Sequence, residues 1–380
     1  MKPRYIDVAE EAESLRQRLS NVESVALDAE AAGFHRYSDR LSLVQLTVPG
    51  SPQHDVVLDP LALDLAPVLG STLEDPEVDV LMHGADFDVR LFRRDLGLEI
   101  QGLFDTQVAA ALLGREALGL QALVREILDV ELSKEHQRAD WAQRPLPPDL
   151  LQYAAEDTRH LPDLARALRH ELEARGRLAW AREEFEALQQ ARFDSTEDQD
   201  PVVRVKGARE LDPRQTERLR VALRWRDDEA QRRDRAPFRV AGDGVLLRVA
   251  VERPQTVEEL ADIQGMSGRL AEQSGGDLLA RLDDVDDRAP EDLAPYPRPS
   301  NNGHGRQPPE VEERFRRLKE VRNAVAEDLG VQRGVLLANW VLEGLARHEP
   351  QDHEELEAVD GVRAWHAEVM GRRLLEAMDG

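Results

Sequence analysis

The sequence feature that most constrains the fold is an apolar run, Val25-Ala26-Leu27, followed by two carboxylates one residue apart, Asp28 and Glu30. Because residues i and i+2 of a strand point to the same face, we predict a buried strand whose end projects both carboxylates together. Two adjacent carboxylates repel each other unless a cation lies between them, and Mg²⁺ and Mn²⁺ favour oxygen ligands. The pair alone is weak evidence for a metal site, because Asp-x-Glu is also common on solvated strand edges.

Length and composition predict several domains and exclude thiol chemistry. The chain has 380 residues, of which 41% are hydrophobic, so we expect two or three domains. It contains no cysteine, which excludes disulfides, zinc–thiolate sites and a cysteine nucleophile. The first segment is charged and no apolar run approaches the length of a transmembrane helix. We therefore expect a cytoplasmic protein without a membrane partner.

The formal net charge of −25 argues, taken alone, against a nucleic-acid partner. Net charge is a property of the whole chain, however, whereas a binding groove is local. A carboxylate site for metal ions also adds negative residues that bound cations neutralise. Charge therefore does not decide between the function classes.

The N-terminal pattern predicts an α/β domain. Residues 5–20 are expected to form an amphipathic helix, and three strands joined by short turns are expected to form an antiparallel meander. The predicted strands are Val25–Glu30, Leu41–Val48 and Asp55–Asp59, with a fourth, Val78–His83, leading into a helix. Helices and further short strands are expected to follow.

Two later helices carry carboxylates beside core residues. Asp88 shares a helical face with Leu91 and Phe92, and Tyr153 and Asp157 are four residues apart on another helix. For Asp88 the alternative is the ordinary preference of acidic residues for a helix start. For Tyr153 and Asp157 the alternative is a core tyrosine beside a solvated acid. At the same spacing, the pair also suits a water-positioning hydroxyl beside a metal ligand.

In this order the three acidic motifs resemble those of the DEDD exonucleases, in the subgroup with tyrosine in its third motif. The resemblance is greatest to the ribonuclease D family. The matching motifs are Asp28-Ala29-Glu30, the segment His83–Phe92 with Asp88, and Tyr153–Asp157. The preceding loop also resembles that family through Lys134, Gln137, Asp140-Trp141 and Arg144-Pro145-Leu146.

The sequence departs from the family pattern at two positions of the first motif. Ala29 stands where threonine is usual, and Ala31 stands where an aromatic residue often follows the glutamate. The sister subgroup has histidine five positions before the last aspartate, where this chain has Gln152, so the tyrosine subgroup is favoured. The acidic residues of all three motifs are intact.

The resemblance implies a ribonuclease H-like α/β domain, a mixed sheet flanked by helices, with two divalent ions, Mg²⁺ or Mn²⁺, roughly 3.5–4 Å apart. By that resemblance Asp28, Glu30, Asp88 and Asp157 would hold the ions, with Asp28 bridging them, and Tyr153 would orient the attacking water. The expected phosphate contacts are His83, Lys134, Gln137 and Arg144, each of which has a structural role as its alternative.

The C-terminal half contains an internal repeat. Pro254–Leu260 is echoed by Pro350–Leu356, and Gly265 by Gly361, at an offset of about 96 residues. The first copy resembles the HRDC helical domain, and the second is a more divergent version. Polar stretches at 194–201 and 289–309 are predicted linkers. The predicted domains are an exonuclease domain at 1–195 and HRDC bundles at 206–288 and 306–380.

The resemblance implies a metal-dependent 3′-to-5′ exoribonuclease that trims structured RNA precursors, tRNA precursors first, and releases nucleoside 5′-monophosphates. The helical domains are expected to contact nucleic acid, with protein contact or scaffolding as the alternative, and the chain is expected to be a monomer. No phosphate-binding Gly-Lys loop is present, which excludes a helicase. Two rivals stay open, an exonuclease acting mainly on DNA and a nucleic-acid-binding scaffold with a vestigial site.

Overall fold

The computed structural model describes residues 3–51, 55–133, 139–193, 199–297 and 307–379. Parts of both predicted linkers, together with Lys134 and Gln137, lie outside these residues. The chain forms two compact units. The first contains Met1–Glu30, Leu41–Phe193 and Gly305–Gly380, and the second contains Ala31–Arg40 and Asp194–His304. No helix of the described residues is long and apolar enough to span a membrane.

Among its described residues, the first unit is built on a six-stranded mixed sheet. Its strands are β1 (Arg4–Ile6), β2 (Ser24–Ala31), β3 (Leu41–Thr47), β4 (Asp55–Leu58), β5 (Asp79–Met82) and β6 (Leu103–Asp105), in the order β1-β4-β3-β2-β5-β6. Strands β3 and β4 are antiparallel, whereas β1/β4, β2/β5 and β5/β6 are parallel. The predicted mixed sheet is confirmed.

The prediction that the first helix begins at residue 5 was wrong. Arg4–Ile6 form β1, which pairs with β4 through Tyr5 and Val57, and the helix begins only at Ala9. A three-residue strand gives too short a pattern to distinguish from a helix turn, and its pairing partner lies about 50 residues further along the chain.

Helices surround this sheet. They are α1 (Ala9–Leu19), α2 (Ala66–Leu73), α3 (Asp86–Leu91), α4 (Thr106–Leu112), α5 (Leu120–Leu128), α6 (Pro148–Arg159), α7 (Leu161–Ala174) and α8 (Leu178–Gln189). A π-helical segment, Phe92–Leu96, continues α3. Apolar strand residues such as Val25, Leu43 and Val57 are fully buried and form the core between these layers.

The C-terminal half consists of two helical copies. The first helical copy contains α9 (Pro213–Arg232), α10 (Pro237–Val240), α11 (Asp243–Glu252), α12 (Val257–Asp262) and α13 (Gly268–Asp286). The second helical copy contains α14 (Pro309–Leu329), α15 (Arg333–Leu336), α16 (Asn339–His348), α17 (His353–Glu357) and α18 (Ala364–Asp379). Every helix of the second copy begins 96 residues after its counterpart, for example Pro309 after Pro213.

The repeat extends to single hydrogen bonds. The side chains of Thr256 and Asp352 cap α12 and α17 by accepting a bond from the third helical N–H. Arg226 donates to the carbonyl of Ala241 in the first copy, as Arg322 donates to that of Leu337 in the second. Because the same capping and bracing bonds recur, the internal repeat predicted from the sequence is confirmed.

The second helical copy packs onto the exonuclease fold within the first unit. The Trp365 indole stacks on Trp180 with ring centroids 4.9 Å apart, and its Nε1–H donates to Glu184 at 2.8 Å. Arg177 donates to the carbonyl of Leu329 at 2.8 Å. Buried aromatic contacts and shared hydrogen bonds therefore attach this copy to α8 and its N-terminal end.

Candidate active site

Strand β2 carries the first two acidic residues. Its residues Ser24–Ala26 pair in parallel with β5, while the strand continues beyond this pairing to Ala31. Val25, Ala26 and Leu27 are fully buried, which fixes the strand in the sheet. Asp28 and Glu30 follow on the extension, one residue apart and therefore on one face.

Asp88 lies in the first turn of α3, just after β5. Asp105 shapes the connection, because its carboxylate accepts bonds from the backbone N–H groups of Gly84 and Ala85 at 3.1 and 2.7 Å. Gly84 has φ of +68°, a left-handed conformation that favours glycine. Asp88 is only 8% exposed. Since β2 and β5 are parallel, their carboxyl ends meet at one edge of the sheet.

Helix α6 carries Tyr153 and Asp157 and is held by contacts at its middle and near its C-terminal end. Tyr153 is buried and stacks on Trp141 with ring centroids 6.2 Å apart. One turn later the hydroxyls of Thr158 and Thr47 are 2.8 Å apart. This packing onto β3 holds the face of α6 that presents the tyrosine and the aspartate.

Three carboxylates meet in one cluster. Ligand oxygens of Asp28, Glu30 and Asp157 all lie within 4.8 Å of one another. Asp88 is not part of this tight group, but its charge acts on Glu30. The structure therefore brings together residues from β2 and α6 that are more than 120 positions apart in the sequence.

Loss of hydration raises the pKa of all four carboxyl groups, and negative neighbours add to the shift in three of them. Removal from water raises the pKa of Asp28 to about 6 and that of Asp157 to about 8, the latter also through the charge of Asp28. Removal from water and the negative neighbours Asp28, Asp157 and Asp88 hold the pKa of Glu30 well above its usual range. Burial and the charges of Asp28 and Asp105 do the same for the pKa of Asp88.

These side chains suit hard divalent cations. The donors are carboxylate oxygens, which Mg²⁺ and Mn²⁺ prefer, and the chain has no cysteine thiolate to offer a softer ligand. Among the described residues no arginine, lysine or histidine forms an ion pair with any of the four. A cation would stabilise such a cluster of half-buried carboxylates.

The predicted phosphate contacts have different surroundings. Arg144 donates to both oxygens of Asp59 at 2.6 Å and to the carbonyl of Ser42 at 2.8 Å. These bonds match the structural role that the sequence left as the alternative. His83 lies 2.9 Å from the Thr106 hydroxyl through Nδ1, and burial lowers its pKa. Both remain predictions as substrate contacts, and Lys134 and Gln137 lie outside the described residues.

The structure adds residues that sequence reasoning missed. A cavity of about 280 Å³ borders Asp157 and is lined by Leu120, Gln121 and Arg125 of α5. The side chain of Gln121 also donates to the Ser133 carbonyl at 2.9 Å, which ties α5 to the segment before the third motif. The amphipathic pattern of α5 gave no functional signal, because the proximity of α5 to Asp157 arises only from tertiary packing.

Comparison with known proteins gives the same organisation. The family described as 3′-5′ exonuclease matches residues 3–173, and the HRDC domain matches twice, at residues 215–282 and 311–378. Ribonuclease D of Pseudomonas paraeruginosa is 32% identical over 357 residues, which cover 93% of this chain and 92% of that protein.

Two solved structures resemble the whole chain. A protein from Bifidobacterium adolescentis has a TM-score of 0.83 at 26% identity and covers 100% of this chain and 97% of its own. Escherichia coli RNase D, described as an exoribonuclease involved in structured RNA processing, has a TM-score of 0.72 at 28% identity, with coverage of 100% and 99%. With the exonuclease match, the two HRDC matches and a full-length relative above 30% identity, this chain belongs to the ribonuclease D family and is a 3′–5′ exoribonuclease.

Proposed function

We propose that Asp28, Glu30, Asp88 and Asp157 hold two divalent cations and that Tyr153 completes a site for phosphodiester hydrolysis. The observation that carries the proposal is the half-buried cluster of Asp28, Glu30 and Asp157, whose oxygens lie within 4.8 Å and whose pKa values are raised. Folding such a cluster is unfavourable without a counter-charge, so its presence argues for a bound cation. Asp28 has electrostatic contact with each of the other three and is the proposed bridging ligand.

The protein groups have distinct roles in this proposal. When bound, the two cations would supply positive charge for the phosphate and make an attacking water more acidic. Asp28 and Glu30 would hold the cations on the extended end of β2 and so set where the scissile phosphate binds. Tyr153 orients the attacking water with its hydroxyl, while the stacked Trp141 keeps the phenol in one orientation. The products are a nucleoside 5′-monophosphate and an RNA shortened by one nucleotide.

The proposed substrates are the 3′ ends of structured RNA precursors, tRNA precursors first. Support comes from the similar Escherichia coli RNase D, which is described as acting in structured RNA processing. The helical copies are proposed to hold the folded part of such an RNA while its single-stranded end enters the site. An exonuclease acting mainly on DNA is the alternative, because none of the motifs distinguishes the two sugars.

A gel with end-labelled substrates tests the proposal. A tRNA precursor and a single-stranded DNA of matched 3′ sequence are incubated with Mg²⁺, with Mn²⁺ and with EDTA. We expect a metal-dependent ladder that shortens the RNA from its 3′ end. A ladder on the DNA alone would replace the proposed substrate, and an unshortened RNA that is still shifted on a native gel would favour the scaffold.

A further inference from the structure

The first helical copy contains a cleft lined by arginines in a strongly acidic protein. The cavity measures about 420 Å³, and four of its lining residues are Arg233, Arg235, Arg239 and Arg269. Ser267 and Gln273 add hydrogen-bonding groups, and none of the described residues that line the cavity is acidic. We call this cavity the arginine cleft. In a chain with a net charge of −25, four cations around one cavity form a local site for an anion.

The four arginines divide into two that are held and two that are available. Arg233 bonds to Glu229 at 2.7 Å and to Ser274 at 3.0 Å, and Arg239 lies 5.0 Å from the ring centroid of Phe34. Arg235 and Arg269 are exposed, and neither guanidinium has a hydrogen-bond or ion-pair partner among the described residues. The cleft therefore combines fixed walls with two uncommitted cationic groups.

The second helical copy carries apolar residues at the positions equivalent to these four arginines. At the positions 96 residues later stand Leu329, Val331, Val335 and Trp365 in place of Arg233, Arg235, Arg239 and Arg269. In the second copy this face packs against the exonuclease fold, through Trp365 on Trp180 and through the bond from Arg177 to Leu329. The corresponding face of the first copy carries cationic side chains where the second has apolar ones, so it is not suited to the same interface.

We infer that the arginine cleft binds phosphate groups of the RNA backbone and is a second contact site for a structured substrate. The planar guanidinium group matches phosphate geometry with paired N–H donors, and arginine is enriched wherever phosphate is recognised. Such contacts carry no base information, so the cleft would hold RNAs of different sequence. An RNA ligand here presupposes the RNA substrate proposed above, whereas hydrolysis of a short oligomer does not require the cleft.

Alanine substitutions in the full-length chain test this inference. Each phosphate contact contributes about 0.7–0.9 to the slope of log K against log salt, so R235A/R269A should reduce the slope by about 1.4–1.8 for an RNA hairpin with a single-stranded 3′ tail. Affinity for the hairpin in EDTA should fall by about tenfold at low salt. The R235K/R269K variant keeps both charges and should retain most of the slope.

A matched control is available in the same compact unit. Arg209 and Arg224 are exposed, lie outside the cleft and have no side-chain partner among the described residues. R209A/R224A removes the same charge and should keep the hairpin affinity and the slope. Equal losses in both double variants would overturn the cleft assignment, because they would reflect net charge alone.

Two further readouts separate this inference from the proposed function. Hydrolysis of a six-nucleotide RNA in Mg²⁺ should be unchanged in R235A/R269A. If the wild type does not hydrolyse this RNA, the proposed function is refuted independently of the cleft. Unchanged hairpin binding by R235A/R269A, with loss of binding to a polyglutamate peptide, would assign the cleft to an acidic protein and overturn the RNA inference.

Discussion

Two regions of this protein bury charge in opposite ways. In the first helical copy Arg220 is 5% exposed and bonds to Asp200 at 2.6 Å, to Glu217 at 2.8 Å and to two backbone carbonyls. In the exonuclease fold Asp28, Glu30 and Asp157 crowd together with no basic partner among the described residues. The first arrangement pairs its charges within the protein, whereas the second is the proposed cation site. Clustered carboxylates without a basic partner among the described residues therefore distinguish the candidate site from structural ion pairs.

The largest expected effect is on hydrolysis. Asp28→Asn removes the proposed bridging charge and should reduce the rate of RNA hydrolysis on the order of 10³-fold or more, equivalent to about 4 kcal/mol of lost transition-state stabilisation. Single-turnover assays with a short RNA measure it. Asp86→Asn is the control, because Asp86 is an exposed acid on α3 that pairs with Arg90. Full activity of Asp28→Asn would contradict the metal assignment.

Removing a partner from the compensated region should affect stability instead. Arg220→Ala leaves Glu217 buried without one of its cations and should destabilise the first helical copy by roughly 3–5 kcal/mol. Hydrogen exchange of α9 amides should accelerate, while hydrolysis of a short RNA stays unchanged below the unfolding temperature. Arg224→Ala on the same helix is exposed and should have no effect on either. Unchanged hydrogen exchange in Arg220→Ala would show that the Arg220 ion-pair network contributes little to the stability of the first helical copy.

Replacing a carboxylate of the acidic cluster should instead increase the stability of the metal-free protein. The pKa of Asp157 is about 8 in the folded chain and about 4 when unfolded, so the folded state holds the extra proton. Without metal, this carboxyl therefore makes the protein less stable as pH rises from about 4 to 8. Asp157→Asn should stabilise the metal-free protein at pH 8 by roughly 1–3 kcal/mol. Denaturation in EDTA that finds the variant less stable would imply a cation partner within the protein.

The smallest effect concerns a buried neutral group. Burial lowers the pKa of His366 to about 3, and its Nε2 lies 3.8 Å from Glu184 where the second copy meets α8. His366 is therefore uncharged in the folded chain, and the stability it provides is complete above pH 6.5 and is lost as pH falls below that value. The loss should reach about 1–2 kcal/mol by pH 5.

The matched variant for this prediction is His366→Gln. Burial raises the pKa of Glu184, which acts in the opposite direction, so only the difference between wild type and variant isolates the histidine. Thermal unfolding between pH 7 and 5 should show a smaller pH dependence in His366→Gln. Parallel pH profiles of the two proteins would contradict a buried neutral histidine.

Local patterns predicted much of the fold from the sequence. The period-two arrangement of Asp28 and Glu30 requires only one strand, and the repeat requires only a comparison of the chain with itself. Both are local properties, and the structure has β2 at Ser24–Ala31 and paired helices 96 residues apart. The short strand β1 was missed, because its existence depends on pairing with distant Val56–Leu58.

The surroundings of individual side chains were not predictable in the same way. Arg144 meets Asp59 across 85 positions, and Arg269 reaches the arginine cleft from 30 positions beyond Arg239. Neither pair shares a periodic pattern, because each results from the packing of separate elements. Sequence spacing therefore identified candidate residues, whereas the structure is needed to distinguish paired charges from uncommitted ones.

Counting metal ions tests the central claim most directly. Calorimetric titration of Mn²⁺ into the metal-free full-length chain should give two ions per chain, and Asp28→Asn should lose both because Asp28 is the proposed bridging ligand. Asp86→Asn should bind as the wild type does. No binding to the wild type, or two ions still bound by Asp28→Asn, would contradict a site built on these four carboxylates.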